Sequence, residues 1–382
     1  MNDKNYKFES KAALYIHIPF CANKCPYCAF YSEPIKNHNP ELLVDALIAE
    51  MSRYDFSKNF STAYIGGGSP SCLPGEQLLR LVNKVKSCCF EIEEFTIEAN
   101  PGQVESSTLL QLRKAGVNRL SIGAQSFRKE QLQFLGRKHS VEDIGRAVSL
   151  GQQSGFENIS LDLIFAIPGS TLEFWQFSLK SAISLGVQHI SAYSLTYEQN
   201  TPLKKAVDAE IILPLDEETD RQMYESAINQ LGRSGFNQYE ISNFAKPGFE
   251  CKHNLTYWAN RPYVGIGPAA SSSWQGTRTA NIADINGYIE AINKGQSAVV
   301  ESDAINPTDF ACETAVLNLR RMLGINLEEF KNQTGFDALE LFAETISRYE
   351  TLGLMEKGDD SLFLTRHAIP IADSILCDFS SV

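Results

Sequence analysis

Three cysteines stand close together in "YIHIPFCANKCPYCAFYS", residues 15–32. Three residues separate Cys21 from Cys25 and two separate Cys25 from Cys28. Thiolates so spaced are metal ligands, and two chemistries compete. A structural zinc site takes four ligands, usually from two knuckles. Here there is one knuckle-like group, and Cys251 and His253 complete a set only by a long-range coincidence. An iron–sulfur cubane is wrapped by thiolates of one compact loop. Three cysteines then leave one iron without a protein ligand, open to a small chelating molecule. The run ends in "CAF": Phe30 stands where a further cysteine completes a set of four. Cys72, Cys88, Cys89, Cys312 and Cys377 fall in apolar or helical stretches and read as ordinary thiols.

Other residues capable of chemistry sit near the ends of apolar runs. "YIGGGSP" carries Gly66, Gly67 and Gly68, which permit close backbone approach and offer N–H groups at a turn. Alone, such a triplet is usually just a turn. Glu98 in "IEANP" is an acceptor suited to ribose hydroxyls, or a solvated carboxylate at a strand end. Gln125 follows the next apolar run, and Arg137 comes in "FLGRKH". Asp162 lies inside "ISLDLIFAIPG", where an acid needs a partner if buried: it faces an open end or pairs with Arg137. In "CKHNLTYW", Cys251 and His253 are residue types that bind metals, and the plainer reading of His253 is a helix-end or core histidine.

The elements that position these residues alternate regularly. Strands are predicted at Ala13–Ile18, Thr62–Ile65, Phe95–Ala99, Arg119–Ile122, Ile159–Phe165 and His189–Leu195. Between them, helix starts are marked by Asn39 with Pro40, by Ser106 or Ser107, and by Ser140 with Asp143; Gly116 and Gly155 mark helix ends. Six strands alternating with helices imply a parallel sheet, an α/β fold built as a partial (β/α)6 barrel. Six units are too few to close an eight-fold barrel. Ligands of such folds sit at the C-terminal ends of the strands, where these residues lie. Residues 1–12 read as a tail, 13–200 as the barrel and 201–300 as an extension of it. Residues 301–382 read as a separate α+β domain in winged-helix order, with a hairpin at Gly358-Asp359.

Composition narrows the classes. The chain has 382 residues, 43% of them apolar, enough for a proper core. A net charge of −12 disfavours nucleic acid as a partner. There is no apolar run of about 18 residues and no apolar signal segment, so a cytoplasmic protein with at most peripheral membrane contact is expected.

The cysteine spacing, with Tyr27 just before the third cysteine, resembles the radical S-adenosylmethionine (SAM) superfamily. "YIHIPFCxxxCPYC", "GGGSP", "ExNP", "GAQSF", "GRxH", "DLIFAIPG", "YEISNFA" and "HNLTYW" run in order over about residues 13–275. Together they resemble the coproporphyrinogen-III-oxidase-like group, and within it the heme-chaperone branch. The C-terminal region resembles that group's HemN C-terminal domain. The resemblance implies a [4Fe-4S] cluster on Cys21, Cys25 and Cys28, and SAM held by Tyr15, Tyr27, Gly66, Gly67, Gly68, Glu98, Gln125, Arg137 and Asp162. It also implies heme as a ligand, with His253 as the candidate site. The partners it implies are a heme-acceptor protein, a respiratory-chain hemoprotein being one option, and an electron donor such as flavodoxin or ferredoxin. The group's oxidases carry a cysteine where Phe30 stands, so this chain is expected to lack coproporphyrinogen oxidase activity. That oxidase is the competing reading, and a winged-helix nucleic-acid binder with a sensory cluster is a third. One departure is plain: where the branch reads "GIGPGAHS", this chain reads "GIGPAASS", with Ala269 for a glycine and Ser271 for the histidine.

Overall fold

Six strands lie side by side in chain order, all parallel: β1 (Ala12–Ile18), β2 (Phe60–Gly67), β3 (Glu94–Ala99), β4 (Arg119–Gln125), β5 (Asn158–Phe165) and β6 (His189–Ser194). They come from a computed structural model that describes residues 12–54, 60–89 and 91–381. The expected tail, apart from Ala12, lies outside the described residues. The crossovers are α1 (Pro40–Met51), α2 (Gly75–Cys88), α3 (Ser106–Lys114), α4 (Val141–Gln153) and α5 (Leu172–Ser184). Asn39 accepts from the Glu41 N–H at the start of α1, with proline as the first helical residue. Ser140 and Asp143 form the reciprocal capping box of α4. Gly116, just beyond α3, has φ +107°, a conformation that favours glycine.

Side chains alternate along these strands. Ala63, Ile65, Phe95, Ile97, Leu120, Ile122, Leu161, Leu163 and Ile190 belong to the main apolar core, together with helix residues such as Leu78, Leu81, Ile144 and Leu179. The intervening residues Tyr64, Glu98, Ser121, Asp162 and Ser191 are polar and bond to one another across strands. Burying the apolar face removes hydrocarbon from water and drives this half of the fold. The polar face lines the inside of the partial barrel.

Strands between Asn237 and Ala304 extend the sheet at both edges. After α6 (Glu217–Arg233), β7 (Asn237–Glu240) and β8 (Asn243–Ala245) add to β6 in antiparallel fashion. β9 (Tyr263–Ile266) pairs parallel with β1, followed by β10 (Ser271–Trp274), β11 (Thr277–Asn281) and β12 (Val299–Ala304). The result is one open sheet of twelve strands. Between the two additions runs α7 (Lys252–Trp258). Glu50 of α1 pins the second addition: it accepts from Gly267 N–H at 2.9 Å, Asn281 Nδ2 at 2.8 Å and Tyr288 Oη at 2.6 Å. Burial pushes its carboxyl pKa up, and these three donors offset that.

The last region has its own sheet, in which Ser361–Leu364 lies between Ile325–Asn326 and Met355–Lys357. The hairpin closes where the Gly358 N–H donates to the Ser361 carbonyl at 2.8 Å. Its helix Pro307–Leu319 packs on the floor of the barrel, where Asn260 Nδ2 donates to Thr314 Oγ1 at 2.9 Å. Among the described residues no helix is long and apolar enough to cross a membrane.

Candidate functional site

The three thiols share one loop at the C-terminal end of β1. Phe20–Cys21 pairs with Glu33–Pro34, which closes the loop at its base. The Cys28 N–H donates to the Cys25 carbonyl at 3.2 Å, and the Leu203 N–H donates to the Pro26 carbonyl at 2.9 Å from outside. Gly136 backs the loop: a Cβ there would lie 2.6 Å from Pro26 Cδ. All three cysteines are half-buried. Burial pushes the Cys21 and Cys28 thiols up, and neighbouring thiol charge adds to it. Thiolates so crowded need positive charge beside them. Among the described residues, no three His, Cys, Asp or Glu side chains converge as a single ion requires. The loop fits a cluster, whose corners take one thiolate each. Cys72 lies near enough to Cys21 to feel its charge, yet its thiol donates to the Phe20 carbonyl at 3.4 Å and is pushed up to about 12, mainly by burial.

Arg137 clasps this loop to the sheet. Its guanidinium reaches Cys25 Sγ at 3.9 Å, the Gly123 carbonyl at 2.8 Å and the Asn100 side-chain oxygen. Its charge also acts on Tyr27. A cavity of ≈ 340 Å³ opens beside it, walled by Cys25, Asn100, Gln103, Gly136, Arg137 and His139. Gln125 ends β4 with φ +64°, after a break in the register with β5. A Cβ on Gly123 would lie 2.9 Å from Gln125 Nε2, so the Gln125 amide lies back over β4 beneath Arg137. Phe30 is 69% exposed at the rim of the loop.

Glu98 is the acid at the tip of β3. Tyr64 Oη donates to its Oε1 at 2.7 Å, and the Gly67 N–H to its Oε2 at 3.2 Å. Burial lifts its pKa from 4.5 to about 7; the Tyr64 bond works against the rise and the charge of Asp162 adds to it. The glycine triplet differs from expectation. The Gly67 N–H is taken by Glu98, and the Gly68 N–H donates to the Ile18 carbonyl at 2.8 Å. Close packing explains the residue type: Cβ atoms at Gly66, Gly67 and Gly68 would lie 2.7 Å from the Tyr64 ring, 2.6 Å from the His17 ring and 2.4 Å from the Phe20 carbonyl. Tyr15 shares a hydrogen bond with His17 Nδ1 at 3.0 Å, and its ring lies 6.2 Å from that of Tyr64.

Asp162 faces the barrel interior. Ser191 Oγ donates to it at 2.8 Å and Ser121 Oγ more weakly at 3.3 Å, while burial raises its pKa. Its anticipated pairing with Arg137 is not a contact; Arg137 acts on it only as a more distant charge.

His253 lies at the opposite end. The "HNLTYW" segment lies in α7, which packs against β1 and β2 and is bonded to Glu94 at the start of β3, at the floor of the barrel. His253 is 1% exposed. Its Nδ1 shares a hydrogen bond with Thr62 Oγ1 at 2.9 Å and its Nε2 with Tyr257 Oη at 2.9 Å. Burial, aided by the charge of Arg119, lowers its pKa to about 3. The arrangement does not match the expected heme ligand: both ring nitrogens are hydrogen-bonded within the protein and the side chain is buried. Cys251 is likewise sealed: its thiol donates to Glu94 Oε1 at 3.5 Å and is pushed up to about 12, first by burial. Tyr257 meets His253 edge-on at 4.9 Å, and Trp258 lies under the Arg320 guanidinium at 5.0 Å.

Glu94, Arg119 and Tyr64 were not singled out from the sequence. Glu94 accepts from the Lys252 and His253 N–H groups at 3.1 and 3.0 Å and so caps α7 from a distant strand. Burial works against the Arg119 charge, yet Cys251, Glu94 and neighbouring tyrosines hold its pKa above the ordinary value. The available signal was polar residues at every second position of otherwise apolar strands. At the departure from the branch motif, Ala269 adopts φ +59°, where glycine is at ease, and Ser271 is exposed on β10, one of the added strands.

Comparison with known proteins follows the same lines. The radical SAM superfamily profile matches residues 15–179, and that of the HemN C-terminal domain matches residues 305–371. The "Heme chaperone HemW" of Bacillus subtilis (strain 168) is 34% identical over 371 residues, which is 96% of this chain and 98% of that protein. Its namesake in Escherichia coli (strain K12) is 39% identical over 264 residues, 68% of this chain and 69% of that protein. Coproporphyrinogen III oxidase (HemN) from Escherichia coli, titled a radical SAM enzyme, superposes with a TM-score of 0.84. The match covers 97% of this chain and 90% of that one at 22% identity, which shows a shared fold.

Proposed function

Because the chain belongs to the HemW family of radical SAM proteins, we propose that it is a heme chaperone that binds heme and hands it to an acceptor protein. In this reading a [4Fe-4S] cluster sits on Cys21, Cys25 and Cys28, and SAM lies between that cluster and Glu98. When bound, the cluster supplies an iron open to the methionine moiety of SAM and an electron for its reduction. Glu98 accepts the ribose hydroxyls, and Arg137, held between Cys25 and Gly123, balances the charge of the loop. Tyr15, Tyr27, Gly66, Gly67, Gly68, Gln125 and Asp162 complete the walls. Gly66 to Gly68 contribute closeness of approach, since the Gly67 and Gly68 N–H groups are engaged within the protein.

One observation carries the reading: a chain similar almost end to end to proteins named heme chaperones holds three half-buried thiols in one loop, with exposed Phe30 beside them. The test is anaerobic reconstitution followed by hemin titration and incubation with coproporphyrinogen III and SAM. About four irons and four sulfides per chain, stoichiometric heme uptake and no porphyrinogen decarboxylation are expected. Protoporphyrinogen formation, or failure to bind heme, would sink the proposal.

A further inference from the structure

The segment 251–258 carries residue types that bind iron, yet it lies sealed at the barrel floor, and its contacts lead elsewhere. The His253 ring stacks on the Tyr64 ring at 4.9 Å with an interplanar angle of 30°. Tyr64 in turn donates to Glu98 at 2.7 Å. The imidazole is fixed at both nitrogens, by Thr62 of β2 and by Tyr257 one turn along α7. The His253 backbone N–H is held by Glu94. Held at both ring nitrogens and anchored through its backbone, His253 forms a rigid base under Tyr64, and among the described residues Tyr64 is the only side chain that donates to Glu98.

We propose that His253 and Tyr64 are positioning residues for SAM: α7 supports the Glu98 carboxylate from beneath, through the His253–Tyr64 stack, and does not ligate heme. The proposal rests on the assignment of Glu98 to the SAM site. A ribose diol is recognised by an ionised carboxylate whose oxygens keep a set direction, and the Tyr64 hydroxyl supplies both direction and ionisation. The groups acting on Glu98 are Tyr64 and the Gly67 N–H on β2, Arg119 on β4 and Asp162 on β5. Tyr15 on β1 faces it as well. Of the described side chains, Tyr64 alone bonds it directly. Removing that bond favours the protonated form, so the pH at which SAM binding is half-maximal moves upward.

The experiment uses the full chain with SAM and hemin as separate probes. SAM affinity is measured across pH on the reconstituted protein. The protonation of Glu98 is followed by its carboxyl infrared band in cluster-free protein. Tyr64→Phe keeps the ring and loses only the hydroxyl, so folding is spared; about a tenfold loss of SAM affinity and an upward shift of both pH midpoints are expected. His253→Ala removes the base and acts in the same direction. In His253→Gln the amide can still bond Thr62 and Tyr257, and most of the affinity returns. Hemin titration and the heme spectrum stay as in the unmodified chain in all three. Unchanged SAM affinity and an unchanged carboxyl midpoint in Tyr64→Phe overturn the proposal. So does a heme spectrum altered by His253→Gln while SAM binding is intact. If Glu98→Ala itself leaves SAM affinity unchanged, the SAM-site assignment fails first, and this proposal with it. Loss in Glu98→Ala without loss in Tyr64→Phe sinks this proposal alone.

Discussion

The two ends of the same six strands are chemically opposite. At the C-terminal ends, the mouth, the three thiols are half-buried and the Cys25 sulfur takes a long contact from Arg137. At the N-terminal ends, the floor, Glu94, Cys251 and His253 are buried and bonded to one another or to the strands above. A parallel sheet gathers all its C-terminal ends on one side, so variable loops and ligands collect there and the other end is free to be sealed for stability. The lesson concerns residue types. A histidine and a cysteine two residues apart look like ligands in either place; at the floor their lone pairs and protons are already in use.

The largest expected effect separates the two ends outright. Cys21→Ala, Cys25→Ala or Cys28→Ala should each abolish cluster assembly, read as iron and sulfide content. The stability of the cluster-free chain should change by less than about 0.5 kcal/mol, because no floor contact is touched. A large loss of stability in these variants would break the comparison. Glu94→Ala should do the reverse. It leaves the Cys251 thiol and the Lys252 and His253 N–H groups without their acceptor, and should cost about 2–4 kcal/mol in urea unfolding, with the cluster still assembling in the folded fraction.

A third prediction concerns pH. Glu98 has a folded pKa of about 7 against an ordinary 4.5, so between these values the folded state holds the extra proton. Its contribution favours the folded chain at low pH and is lost as pH rises through about 7. Urea titrations of the cluster-free chain between pH 5 and 8 should show a downward slope that Glu98→Gln flattens. Equal slopes in the two proteins would show that Glu98 is not held near its present neighbours. The smallest effect is at the rim. Phe30 is 69% exposed, so Phe30→Cys should change stability by no more than about 0.5 kcal/mol. Added to the three thiols it should still yield no porphyrinogen decarboxylation, because a thiol at the rim does not rebuild a substrate site. Turnover by Phe30→Cys would reduce the difference between chaperone and oxidase to this one residue.

Much of the mouth was legible before any coordinates. The cysteine spacing, the strand–helix alternation, the Asn39 and Ser140 caps and the C-terminal hairpin depend on neighbours a few residues apart, and local spacing carries that information. The strands of 237–281 were not read, because three- to five-residue strands with mixed polarity carry little periodic signal and are held by their partners. The floor was illegible for the same kind of reason at longer range. Thr62 meets His253 and Glu94 meets Lys252 only after the chain has run through most of the barrel between them. Tyr257, one turn along α7, is a local partner for one His253 nitrogen, but the partner of the other, Thr62, lies far away in the sequence. Residue type and spacing by themselves put three thiols on one short loop after the first strand, because their separation is fixed along the chain. Which end of the barrel each remaining polar residue serves was settled by burial and pairing across distant strands.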